Sequence, residues 1–222
     1  IIGLVFFFWY PAPLAKAVGV ANIFLMMLSI DVIVGPILGL LVYKEGKKTL
    51  KFDLTVIITI QITALCYGIY SIEQGRPAWL AYNVDHFELV RKNEIVDQNI
   101  NQAKPQFQQP SWLKPQFVAT KFAKNTQQRN DDIFNEVLGG ISLAQRPERY
   151  VELIKVQKKM QQRAQKIKLL QQYNNKIDVE KILAKYPQAT AFLPMKASTV
   201  DMAVLIDQKA NVVKIVDLRP WH

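Results

Sequence analysis

AVGVANIFLMMLSIDVIVGPILGLLVY, residues 17–43, decides the fold class: 27 residues hold a single charge, Asp31, near the middle. An apolar run of that length is enough to cross about 30 Å of hydrocarbon. An ionisable group at mid-depth costs about 2.5–3.5 kcal/mol on insertion scales, a cost met where the acid finds a partner. The next apolar run, LTVIITIQITALCYGIYSI at 54–72, reads as a second span. Between them KEGKKTLKFD carries Lys44, Lys47, Lys48 and Lys51, whereas the connection on the other side, WYPAPLAKAVG, carries only Lys16. Basic residues in short loops mark the cytoplasmic side. The four lysines therefore face the cytoplasm, and everything after residue 72 lies across the membrane.

The first residues, IIGLVFFFW at 1–9, are apolar but too short to span. They read as the end of a truncated first transmembrane helix, a better fit than a signal-peptide tail because no small-residue cleavage pattern follows. Trp9 and Tyr10 suit an interfacial aromatic belt. The expected architecture is an α+β membrane protein. Two complete spans (17–43 and 54–72) and one truncated span (1–9) make up residues 1–72. A periplasmic α+β domain follows at 73–222, with its own core.

That outer part carries the charge excess, 23 Lys/Arg against 15 Asp/Glu from residue 73 onward. Residues 79–90 alternate apolar and polar with one shift and predict a strand pair or a bulged strand. Residues 99–115, rich in Gln, Asn and Pro, read as a loop. A short helix is expected within 129–143, capped by Asn130 or Asp131, with Ile133, Phe134, Val137 and Leu138 on its apolar face and Gly139–Gly140 ending it. Pro147 opens a long basic helix over 147–173, and Asp178 caps a short one over 179–185. Residues 202–218 read as a terminal β-hairpin turning at 208–211.

Chemistry finds little foothold. Cys66 stands alone inside a span, so neither a disulfide nor a zinc site forms within one chain. The histidines are His86 and His222, the serines sit in no nucleophile elbow, and no phosphate loop or metal-spaced cluster occurs. No catalytic residue, metal or cofactor is expected. The basic stretch at 155–168 lacks aromatic interleaving and lies outside the cytoplasm, so nucleic acid is not an expected partner. The lysine loop is read as topology and headgroup contact.

Asp31 has polar candidates on the neighbouring span in Gln61, Thr63 and Cys66. Counted from the lysine loop, Asp31 is about 13 residues deep and Gln61 about 8, a mismatch of roughly 7 Å at ~1.5 Å per residue. Thr63 and Cys66 are closer in depth. Gly35–Pro36, one turn on, frees backbone groups as well. Asp31 is therefore read either as bonded within its own chain or as a contact to another membrane helix.

Several segments together resemble one family, the type IV pilin accessory proteins (TfpX/TfpY/TfpZ-like). The specific pieces are D-V-x-x-G-P (Asp31 to Pro36), G-K-K-x-L-K-F-D (Gly46 to Asp53), Arg76–Pro77, and V-D-L-R-P-W with Asp217, Arg219, Pro220 and Trp221. The resemblance implies an inner-membrane, pilin-specific chaperone or assembly modulator. Its implied partners are the major type IV pilin, inner-membrane lipids and the pilus assembly platform. A membrane-anchored periplasmic sensor or regulator is the competing class. A pilin helix packed beside Asp31, Gly35 and Pro36 would gain about 0.6–2 kcal/mol per polar contact. Asp31→Asn is expected to insert normally but to co-purify with less pilin; unchanged co-purification and unchanged piliation would remove Asp31 from the mechanism.

Overall fold

A computed structural model describes residues 2–43, 48–121, 123 and 125–221, without the side chains of Asp31, Asp131 and Asn135. Two helices, α1 (Val20–Val42) and α2 (Leu50–Gln74), form an antiparallel hairpin and are each long and apolar enough to cross a membrane. At ~1.5 Å per residue they reach about 35 Å. They touch along one stripe: Phe24, Leu28, Gly35, Leu38 and Val42 on α1 and Ile57, Gln61, Leu65, Gly68 and Ile72 on α2 are buried or half-buried. The 3–4 residue spacing keeps those side chains on one helix face. Elsewhere the large apolar side chains stand out, with Leu40 and Leu41 at 77% exposure and Tyr67 at 72%. The core helix of a soluble domain would hide them.

Beyond α2 the chain enters an eight-stranded curled sheet. Its strands are β1 (Pro77–Asn83), β2 (His86–Arg91), β3 (Gln116–Thr120), β4 (Tyr150–Val151), β5 (Gln165–Lys166), β6 (Ala191–Lys196), β7 (Met202–Ile206) and β8 (Val212–Val216). The order is β4-β3-β1-β2-β6-β7-β8, with β5 pairing β6. The expected strand pair is β1–β2, an antiparallel hairpin closing at Asn83↔His86. The terminal hairpin is β7–β8, with Asp207 Oδ1 accepting from the Lys209 and Asn211 backbone N–H groups at 2.8 Å. Strands β3 and β6 lay in stretches with no clear alternation. Pro194 in β6 sits where the neighbour changes from β5 (residues 191–192) to β2 (residues 195–196), a gap that suits a residue without an N–H.

Both faces of the sheet are covered. Trp79, Ala81, Val118 and Tyr150 pack with Phe107 and Ala144 on one side, continued by Phe192, Ala203 and Leu205 against Leu170 and Val179. The opposite face, Leu80, Tyr82, Phe87, Leu193, Met195, Met202, Val204 and Ile206, is covered by the N-terminal residues Val5, Trp9, Tyr10, Leu14, Ala17 and Val18, with Met160 beside them. Helical turns over Leu4–Trp9 and Leu14–Ala17 shape this strap. Trp9 and Tyr10, read as an interfacial belt, are instead 3% and 2% exposed, and the Tyr10 hydroxyl donates to the Ile72 carbonyl at 2.6 Å. Their aromatic bulk fills the curled sheet. The Ala17 carbonyl accepts from the Thr199 and Val200 N–H groups at 3.0 and 3.1 Å, and Gly19 turns the chain into α1 at φ +68° against Thr199.

The long basic helix over 147–173 does not form. A 3-10 turn (Pro147–Arg149) leads into β4, then a second 3-10 turn (Leu153–Val156), α4 (Gln157–Arg163), β5 and two further turns. The apolar residues of this stretch serve different clusters, Tyr150 on one sheet face, Val156 and Met160 on the other, and Leu170 in the third. One straight helix cannot point them all home, so tertiary burial overrides helix propensity. Two caps also move. Helix α3 (Thr126–Val137) is capped by Asn125, which accepts from Gln128 N–H at 2.8 Å. Helix α5 (Lys176–Leu183) is capped by Asn175, leaving Asp178 in its first turn. In each case the asparagine nearest the preceding extended segment takes the free helix donor.

Burying a Val or Leu is worth about 1.5–3 kcal/mol, whereas the strap's ion pair, Lys16 to Asp217 at 2.6 Å, is largely solvated and worth about 0–1 kcal/mol. Packing, not charge, holds the strap. Leu14→Ala, at a site 2% exposed, is expected to cost about 2–5 kcal/mol, and Phe7→Ala, 74% exposed, within about 0.5 kcal/mol. Denaturant unfolding in detergent checks the contrast, and equal effects would contradict a buried strap.

Candidate partner-binding surfaces

The hairpin seam is set by small residues. A Cβ on Gly35 would lie 1.9 Å from Gln61 Nε2, and one on Gly68 2.1 Å from Met27 Sδ. Each glycine therefore receives a long side chain from the facing helix. Gln61, which the depth count places shallower than Asp31 and about level with Gly35, fills the notch at Gly35. Pro36 is exposed next to it. Asp31 lies in α1 between Leu28 and Gly35, and its side chain is outside the described residues. Thr63 donates to its own helix, to the Thr59 carbonyl at 2.8 Å, and Cys66 is exposed.

At the hairpin tip, Lys48 and Lys51 are exposed and carry no acid partner among the described residues; Lys44 and Lys47 lie outside them. Asp53 sits in the first turn of α2, where a negative charge suits the helix dipole, and its Oδ2 accepts from Thr49 Oγ1 at 3.0 Å.

At the other end of the hairpin the cations are paired. Glu73 receives Lys92 Nζ on both oxygens at 2.8 Å and Arg76 Nε at 3.2 Å. Arg76 is 2% exposed and Pro77 starts β1. The Lys92 N–H reaches back to the Arg76 carbonyl at 2.9 Å, so the end of β2 is tied to the end of α2. Arg76 is the buried member, and removal of Glu73 would strand its guanidinium. Burial pushes the adjacent Tyr10 hydroxyl well above its ordinary pKa, with Arg91 and Arg76 opposing. Tyr10 thus remains a donor to Ile72.

The closing motif is a clamp. Arg219 pairs with Asp217 and donates to the Asp201 carbonyl. Its backbone N–H donates to Asn174 Oδ1 at 2.7 Å while Asn174 Nδ2 donates to its carbonyl at 2.9 Å. Trp221 Nε1 donates to Asp201 Oδ2 at 2.6 Å, Pro220 is buried, and Asp217 also holds Lys16 of the strap. The clamp brings together the last residues, the β6–β7 connection and the strap. Its two organisers, Asp201 and Asn174, carried no signal in the sequence, because a single Asp or Asn in a loop looks like any turn residue.

Besides the hairpin faces, open surfaces among the described residues include the α3 face and a cleft beside β8. On α3, Phe134, Val137 and Leu138 are 63–73% exposed, so the expected apolar face points outward. A cleft of about 330 Å³ opens beside β8. Among the described residues no group of His, Cys, Asp and Glu is placed to hold a metal ion.

The chain is 30% identical over 226 aligned positions to the fimbrial assembly protein of serogroup E1 from Dichelobacter nodosus, covering 97% of this chain and 87% of that protein. It is 29% identical to the serogroup I protein of the same organism over the same shares. With the protein of serogroups C1 and C2 it shares 34% identity over 103 residues, 46% of this chain and 79% of that protein. No protein-family model and no solved structure matches. Because the similarity runs along nearly the whole length and not through one segment, the chain belongs to the family of fimbrial assembly proteins.

Proposed function

We propose that the chain is an inner-membrane accessory protein of type IV pilus biogenesis, a chaperone or assembly modulator for the major pilin. In this reading α1 and α2 span the membrane, the lysine tip faces the cytoplasm and the sheet domain stands in the periplasm. The observation that carries it is the hairpin itself. Its large apolar side chains are exposed along both helices while its root is tied into a folded domain. Lipid, or another apolar helix, is the natural cover for such a surface. The names of the relatives supply the assembly role.

Charge supports the orientation. Lys48 and Lys51 at the tip have no acid partner among the described residues, whereas Lys16, Arg76 and Lys92 at the root are each paired. Basic residues counted in short loops mark the cytoplasmic side, and the tip loop holds four lysines against Lys16 alone in the other connection. A pilin held by one apolar helix would lie along the outer faces of the hairpin, since Gln61 already fills the Gly35 notch. Its soluble part would then stand beside the sheet domain.

Fusions to a reporter enzyme active only outside the cytoplasm test the arrangement. Activity is expected for a fusion after residue 221 and none for a fusion at residue 48. The reverse pattern would overturn the proposed function along with the topology.

A further inference from the structure

The cleft of about 330 Å³ is lined by four consecutive β8 residues, 212–215. Successive strand side chains point to opposite faces. Four in a row border one cavity when it runs along the edge of the strand. Among the described residues β8 has β7 as its one neighbour and ends the sheet. Its outer backbone groups are therefore a template for another strand.

Across the cleft stands β3, whose outer side is paired with β4 at Ala119 and Thr120 alone, so residues 116–118 have no strand on that side. Leu80 and Phe117 form the apolar floor. The wall made by the strap contains Pro11 and Pro13, which have no N–H to offer and cannot themselves act as the missing strand.

Charge selects the occupant. Lys214 lies on the β8 edge and Lys114 just before β3, both exposed, with no partner among the described residues and no acid in the lining. A lone edge lysine discourages strand pairing, but here a second stands on the opposite wall above an apolar floor. The pair suits an extended segment that brings apolar side chains inward and carboxylates to the rim. Sheet-edge recognition works this way, with main-chain bonds supplying affinity and side-chain pockets specificity. The volume is at the small end of the usual range for binding pockets, about 300–1,000 Å³, and fits a short segment.

We infer that the cleft between β8 and β3 receives an extended, acidic and apolar segment of the pilin's soluble part by strand addition, an inference that rests on the proposed pilin partnership. Lys114 and Lys214 select the segment by charge, and Leu80 and Phe117 hold its apolar side chains.

The test uses the full chain in cells that express the pilin. A photo-reactive p-benzoylphenylalanine replaces Ala12, exposed on the cleft wall, or Ile62, 56% exposed on α2. Crosslinks from position 12 to the pilin's soluble part are expected. They should fall about tenfold in Lys114→Glu/Lys214→Glu and persist in Lys114→Arg/Lys214→Arg. Both lysines are solvent-exposed, so limited proteolysis should show unchanged folding. Pilin crosslinks from position 62 but none from position 12 would overturn the cleft and leave the pilin partnership standing. Crosslinks from position 12 to lipid, or to pilin with no response to charge reversal, would also overturn it. No pilin crosslink from either position would remove both.

Discussion

Burial of the N-terminal strap against the inner face of the sheet is the contact on which the molecule depends. Val5, Trp9, Tyr10, Leu14, Ala17 and Val18 occupy that face, and Ala17 anchors the strap by accepting two backbone bonds from residues 199 and 200. Without the strap, Leu80, Tyr82, Met202 and Val204 would face water. With it, the chain enters α1 directly from the core of the domain. The return leg enters the same domain through Glu73, Arg76 and Lys92. The hairpin is therefore rooted at both feet.

That double root has a functional consequence. A helix pair joined to its domain by loose linkers would sample many orientations. Here a helix lying against α1 or α2 meets the domain in a fixed relation. The seam is closed by Gln61 at Gly35 and Met27 at Gly68. The hairpin's outer faces, the β8 edge and the apolar face of α3 are open among the described residues. The faces of the hairpin and the β8 edge are thus presented together on one framework.

Long-range packing separates what could be read from what could not. The two long helices were legible in the length of their apolar runs and the β1–β2 and terminal hairpins in local alternation, and all four are present. The long basic helix failed because Tyr150, Met160 and Leu170 serve three clusters, which no single helical stripe reveals. The strap was invisible for a related reason. Burial of Trp9, Tyr10 and Leu14 carries no local mark, and within 2–9 Phe6 packs edge-on against Phe24 of α1 while Phe7 stays 74% exposed. Arg76, Asp217, Arg219 and Trp221 were found by resemblance, but their roles as junction and clamp emerge from contacts between distant segments. Asp201 and Asn174, which organise that clamp, had no local mark at all.

Hydrogen exchange on the full chain in lipid nanodiscs addresses the rooted strap directly. The amides of Val18, Thr199 and Val200 are expected to exchange as slowly as those of β7, because the same opening exposes them. Exchange at loop-like rates in the strap, with β7 still protected, would contradict a domain built around its own N-terminal segment.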